Sequence, residues 1–218
     1  MSVEKHAINM MEKGTGENYR KMVEKAAEIF LSYDLDAMAE KLGIRFEKDY
    51  LYTEMLKRSY RISRHDGSVE WSEDGFEHCA PAGFSESMIL YDLIAYSKPG
   101  AKAAGEYTQI KNLADTLTGQ YYAGKGSIDT AAEYFDGKET ELAKGCEALD
   151  GVPYGRGDVS FRIPVWRDLY TVISFWSSDD EFPPQLVVMV DMNMKDFIHY
   201  ETIWYLEGYL MNLIKAGF

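Results

Sequence analysis

Cysteine is nearly missing from this chain: Cys79 and Cys146 are the only two in 218 residues, and they form no CxxC or finger-type spacing. That excludes a disulfide framework and a structural zinc knuckle, and leaves free thiols as the default. Positive charge is also short, with 23 Lys and Arg against 36 Asp and Glu for a net charge of −13. Such a field repels phosphate backbones and anionic headgroups, so nucleic acid and membrane surfaces are not expected partners. No apolar run approaches the roughly 18 residues that cross a bilayer, and residues 1–16 hold no apolar core of signal-peptide length. The expected location is the cytoplasm. HExxH, DxDxDG and paired-histidine spacings are all missing, so no metal site is assigned. Neither internal repeats nor a low-complexity linker divides the chain.

What is present is a globular composition, 46% apolar and 27% charged, with 16 Tyr that point to aromatic packing. The organising stretch is 179–214. Leu186-Val187-Val188-Met189-Val190 reads as a strand buried on both faces and stopping at Asp191. Ile203, Leu206, Leu210, Leu213 and Ile214 then mark one face of a helix that ends at Lys215 and Gly217.

Ahead of it, residues 1–16 read as a flexible tail. Helical spacing runs from Glu17 to Leu31, and a second helix capped by Asp34 ends at Gly43. Short strands follow at 44–46, 50–55, 59–63 and 69–71, with Asp66-Gly67 as a hairpin signal. Ser85 is expected to cap a helix ended by Pro99-Gly100, residues 106–111 to form a short strand, and helices to follow from Ser127 and from about Lys138. Two strands, 159–163 and 165–176, are expected to meet at Pro164. The economical assignment is one α+β domain over 17–218, an antiparallel or mixed sheet covered by helices with the C-terminal helix packed on it.

Chemistry is less legible. Gly119 and Gly124-Lys125 have the glycine and lysine spacing of a phosphate loop. However, Gly126 replaces the hydroxyl residue that would hold magnesium, and no buried strand leads in. An ordinary surface loop is the better reading. Asp158, Asp179, Asp180, Glu181, Asp191 and Glu201, with His199, gather at strand ends and suit a hard cation or an acid and base pair. Capping and solubility account for most of them. His78-Cys79 places two soft ligands side by side, but in an extended segment they point apart, and a loop histidine beside a buried thiol is favoured. Tyr50, Tyr52, Tyr60 and Trp71 form a stripe that either stacks a planar ligand or closes over a helix, with the second favoured. Gly155-Arg156-Gly157-Asp158 lacks the third glycine and the helix of a dinucleotide fingerprint and is set aside.

Three stretches together resemble a known family. These are Asn18-Tyr19 with 35–43, then Gly157-Asp158-Val159 through Pro164, then 179–183 with Val190-Asp191 and the helix at Tyr200-Glu201. They are similar to domain of unknown function 3786, over nearly the whole chain from about residue 17. The resemblance implies an origin in anaerobic bacteria or archaea and association with iron-sulfur proteins, since some members carry an attached cluster domain. The cysteines of such a domain are absent here, and Gly124-Lys125-Gly126 lies in a segment where members vary.

The combined expectation is a non-catalytic ligand-binding or accessory module of anaerobic redox metabolism. Its small-molecule ligand would sit at Asp158, Asp179, Glu181 and Asp191, and its partner would be a redox or iron-sulfur protein. The alternative is a metal- or nucleotide-dependent hydrolase using those acids with Gly119, Gly124 and Lys125. The cofactor is unassigned.

Overall fold

The computed structural model describes residues 16–113 and 127–217. The chain is α+β, with helices and two antiparallel sheets, and it gathers into two compact units, Met1–Pro99 and Gly100–Phe218. No linker composition marks that division; Pro99-Gly100 reads in sequence only as a helix stop. The tail assigned to residues 1–16 lies outside the described residues except for Gly16, which already begins a helix.

In the first unit, α1 (Gly16–Leu31) and α2 (Leu35–Leu42) precede a meander of β1 (Tyr50–Met55), β2 (Arg58–Ser63), β3 (Val69–Ser72) and β4 (Ala80–Pro81). Asp34 caps α2 by accepting from the Ala37 amide at 3.1 Å, and Gly43 closes it at φ 62°, so both ends fall where side-chain chemistry placed them. Leu51, Met55, Tyr60, Ile62 and Val69 are buried on one face of the sheet. Residues 44–46 form no strand of their own. Instead Phe46 bridges to Leu51, the Tyr52 amide donates to Arg45 O and the Glu47 amide to Tyr50 O, so this segment covers the outer edge of β1.

The Asp66-Gly67 turn joins β2 to β3 as expected. Gly67 is at φ 74°, and a Cβ there would stand 2.8 Å from that of Ala27, so both conformation and space require glycine. After β4, α3 (Phe84–Tyr91) runs into a π-helical turn, Asp92–Tyr96. Its N-cap is Gly83 rather than Ser85, because Glu86 reaches back to accept from the Gly83 amide at 2.6 Å.

The second sheet has the order β5-β9-β8-β7-β6. Its strands are β5 (Tyr107–Gln109), β6 (Val152–Pro153), β7 (Val159–Trp166), β8 (Leu169–Trp176) and β9 (Gln185–Asp191). The helices are α4 (Ser127–Phe135), α5 (Glu139–Ala148) and α6 (Tyr200–Ala216). α4 lies against β9, α5 against β7, and α6 against α5, which places the C-terminal helix in the layer covering the sheet. Ile203, Leu206, Leu210, Leu213 and Ile214 of α6 are all buried, and Gly217 closes it in the left-handed conformation.

Two strand expectations need correction. β9 is not buried on both faces: Leu186, Val188 and Val190 are buried while Val187 and Met189 are half-buried, because helices cover the Val188 side. Nor does Pro164 separate two strands. It lies inside β7, pairing with Tyr170, and the turn comes at Arg167-Asp168. β6 pairs only with Phe161 and Arg162, so the other edge of β7 is open at Pro164 and needs no amide there.

Candidate functional site

The antiparallel register decides which strand-end carboxylates can meet. Val159 pairs with Phe175, Trp176 with Gln185, and Thr171 with Val190. Asp158 and residues 179–181 therefore lie at one end of the second sheet and Asp191 at the other, about 20 Å away at roughly 3.4 Å per residue along β9. The four acids read from the sequence do not converge.

Each has a local task. Asp191, 1% exposed, accepts from Ala104 and Asn193 amides through Oδ1 at 2.9 and 2.8 Å, and from Gly105 through Oδ2 at 2.9 Å. Asp158 Oδ2 accepts from the Ser177 amide at 2.8 Å. Asp179 Oδ1 accepts from the amides of Glu181 and Phe182 at 2.8 and 2.7 Å, closing the turn that holds Asp180 and Glu181. Glu201 stands in the first turn of α6 behind His199 at its N-cap, a favourable place for an acid. Sequence reasoning missed two acids at the Asp158 end. Asp136 takes the amide and hydroxyl of Ser178, and Glu139 takes the hydroxyl of Ser177. These bonds hold both carboxyls below their ordinary range, the Ser178 amide acting first on Asp136 and the Ser177 hydroxyl first on Glu139. Among the described residues no group of three or more His, Cys, Asp or Glu is placed to hold a metal ion.

A different feature of the second unit has more open chemistry. A hollow of about 480 Å3 is lined by Tyr134 and Phe135 of α4, Lys138, Glu141, Lys144 and Gly145 at α5, and residues 214–217 at the end of α6. The Tyr134 ring is its aromatic centre, with Lys138 Nζ 4.1 Å and Lys215 Nζ 5.3 Å from the centroid. Burial lowers the Lys215 ammonium below its usual value, and no ion pair among the described residues joins Lys138, Lys144 or Lys215 to a carboxylate. Two cations held near one aromatic ring at the border of solvent suit an anion. The signal was present at Lys138, Lys144 and Lys215, but only the α5–α6 packing brings those positions together.

In the first unit the aromatic stripe divides by strand alternation. Tyr60 is fully buried and donates to Glu86 Oε1 at 2.8 Å, and Trp71 pairs with it and carries Arg58 at 4.0 Å from its ring. Tyr50 and Tyr52 lie on the opposite face with Arg61 and Phe76. Beside Trp71 is a hollow of about 300 Å3 lined by Ser72, Glu73, Asp74, His78, Cys79 and Ala80. Residues 72–78 form a bend rather than an extended segment, so His78 and Cys79 line the same space, and Cys79 is exposed rather than buried. Cys146 is the buried thiol, in α5, pushed up to about 12 by burial.

The phosphate-loop residues Gly119, Gly124 and Lys125 lie outside the described residues. No described helix is long and apolar enough to cross a membrane. A family model described as Domain of unknown function (DUF3786) matches residues 34–213, so the likeness excludes Asn18-Tyr19 but spans most of the chain. No curated protein and no solved structure matches.

Proposed function

The chain belongs to this family, the Domain of unknown function (DUF3786), and we propose that it is a non-catalytic binding module that holds a small anionic ligand in the lysine-lined hollow around Tyr134. The observation that carries this reading is the placement of Lys138 and Lys215 against one ring, with Lys144 lining the same space, in a chain of net charge −13. Cations that no described carboxylate pairs favour an anion of compact size, and an aromatic floor favours one with a flat part.

The hydrolase reading has less support. Its carboxylates stand at opposite ends of a sheet, and Asp158, Asp179 and Asp191 accept from main-chain amides. We further propose an accessory role in anaerobic redox metabolism beside an iron-sulfur protein, without nucleic acid or membrane as partner. We place the protein in the cytoplasm, where free Cys79 and Cys146 stay reduced.

A thermal-shift screen of anaerobically prepared protein at fixed ionic strength, against nucleotides, flavins, corrinoids and divalent metals, tests this. An anionic class should raise the melting temperature by several degrees, as saturating ligands add about 3 kcal/mol. The shift should vanish in Lys138→Gln and Lys215→Gln and persist in Asp158→Ala and Glu181→Ala. Turnover of a nucleotide or phosphate ester that is lost in the two acid variants would favour the hydrolase instead.

A further inference from the structure

Cys79 and its neighbours form a second chemically capable place, in the other unit and independent of the lysine hollow. Residues 72–78 are tied into a compact loop: Ser72 Oγ donates to Asp74 Oδ1 at 2.7 Å, and the amides of Asp74 and Phe76 donate to Ser72 Oγ at 3.2 and 2.9 Å. The His78 amide donates to Asp74 Oδ1 at 3.0 Å, and His78 Nδ1 is 2.7 Å from Asp74 Oδ2. The amide of His78, then the Ser72 hydroxyl, then the imidazole hold the Asp74 carboxyl far below its usual range. An ionised carboxylate only accepts, so Nδ1 carries the hydrogen of this bond and Nε2 is the ring nitrogen turned away from Asp74.

That imidazole is 90% exposed, and it shares the hollow with the exposed Cys79 thiol and the Trp71 indole. Arg61, paired with Glu70 at 2.7 Å, interacts electrostatically with Cys79. An accessible thiol that donates weakly to Phe76 O at 3.8 Å and shares its hollow with a carboxylate-held imidazole has a base in the same space for its proton. At about 300 Å3 the hollow is at the small end of ligand sites.

We propose that Cys79 is a thiol–disulfide exchange site for low-molecular-weight disulfides, with His78, held by Asp74, as its proton acceptor. The Cys79 proton passes to His78 Nε2, and Sγ attacks one sulfur of the disulfide. A new S–S bond forms to Cys79 as the disulfide's own S–S bond breaks. The departing half leaves as a thiolate and takes the proton from His78. Cys79 is thereby oxidised to the mixed disulfide and the departing half reduced to a thiol, with no further oxidant. Cys146, buried and held protonated, takes no part.

Reduced protein is incubated with oxidised glutathione, and the rate of adduct formation is followed by intact mass and peptide mapping from about pH 5.5 to 9, a window that brackets the ordinary imidazole and thiol values of about 6.5 and 8.5. The expected result is a dithiothreitol-reversible adduct on Cys79 alone, none in Cys79→Ser, and a rate near neutral pH that falls about tenfold in His78→Gln and Asp74→Asn. In those variants the profile should move toward that of a simple thiol while circular dichroism is unchanged. Reaction of Cys79 no faster than in the urea-unfolded chain, or an identical rate and pH profile in His78→Gln, would overturn the assignment.

Discussion

The phenol of Tyr60 on β2 donates to Glu86 Oε1 on α3 at 2.8 Å, and the other oxygen of that carboxylate accepts from the Gly83 amide at 2.6 Å. One buried acid thus fastens the first sheet to the start of its covering helix, with Arg58 Nη1 3.6 Å from Oε1 as counter-charge. Tyr60→Phe removes the donor but keeps the ring, and should cost about 1–2 kcal/mol. Glu86→Ala also removes the carboxylate beside the largely buried Arg58 guanidinium and should cost about 3–5 kcal/mol. Urea midpoints of the two variants should rank in that order.

Asp191 should prove structural rather than ligand-binding. Three amides converge on its buried carboxylate, and Asn replaces one acceptor oxygen with a donor facing an N–H. Asp191→Asn should cost about 2 kcal/mol and Asp191→Ala about 3 kcal/mol or more. Neither should change the stabilisation given by an anion at Tyr134. Equal stability to the parent chain in urea would contradict this.

Glu207 on α6 is 5% exposed, and burial raises its carboxyl to about 7. The unfolded chain loses this proton near pH 4.5, while the folded chain keeps it until near 7. Between those values the folded state binds more protons, so this group's contribution falls as pH rises. The loss amounts to about 3 kcal/mol. In Glu207→Gln the decline from pH 5 to 8 should flatten by that amount, measured as urea unfolding at each pH.

Gly145 lies where α5 meets the end of α6. A Cβ there would stand 2.6 Å from Ile214 O and 2.8 Å from its Cγ2, and the main-chain oxygen has nowhere to go without moving a helix. Despite alanine's better helix propensity, Gly145→Ala should destabilise by about 1–3 kcal/mol. A gain in melting temperature would show that the two helices separate freely.

Much of the fold was legible because local chemistry and final structure agree. Asp34 and Gly43 bound α2, and five apolar positions define the buried face of α6. What sequence could not supply was pairing. Leu186–Val190 reads the same whether one face is covered or two, and only the register with β8 puts Asp191 far from Asp158. The β1–β2 turn, Leu56-Lys57, has φ of 47° and 64° without glycine or asparagine, so no turn residue announced it. For the same reason His78 and Cys79 read as diverging: that both line one hollow depends on a bend built by Ser72 and Asp74. The lysine hollow draws on three helices and has no motif at all.

The sheet edges have a consequence for behaviour at high concentration. β4 and β6 have two residues each and β5 three, and the longer β1 is covered by Arg45–Glu47 through the Phe46 bridge. A strand from a neighbouring molecule finds few consecutive free amides and carbonyls to pair with. Cross-strand addition, the common route from native sheets to fibrils, thus has little purchase on each outermost strand of the described structure.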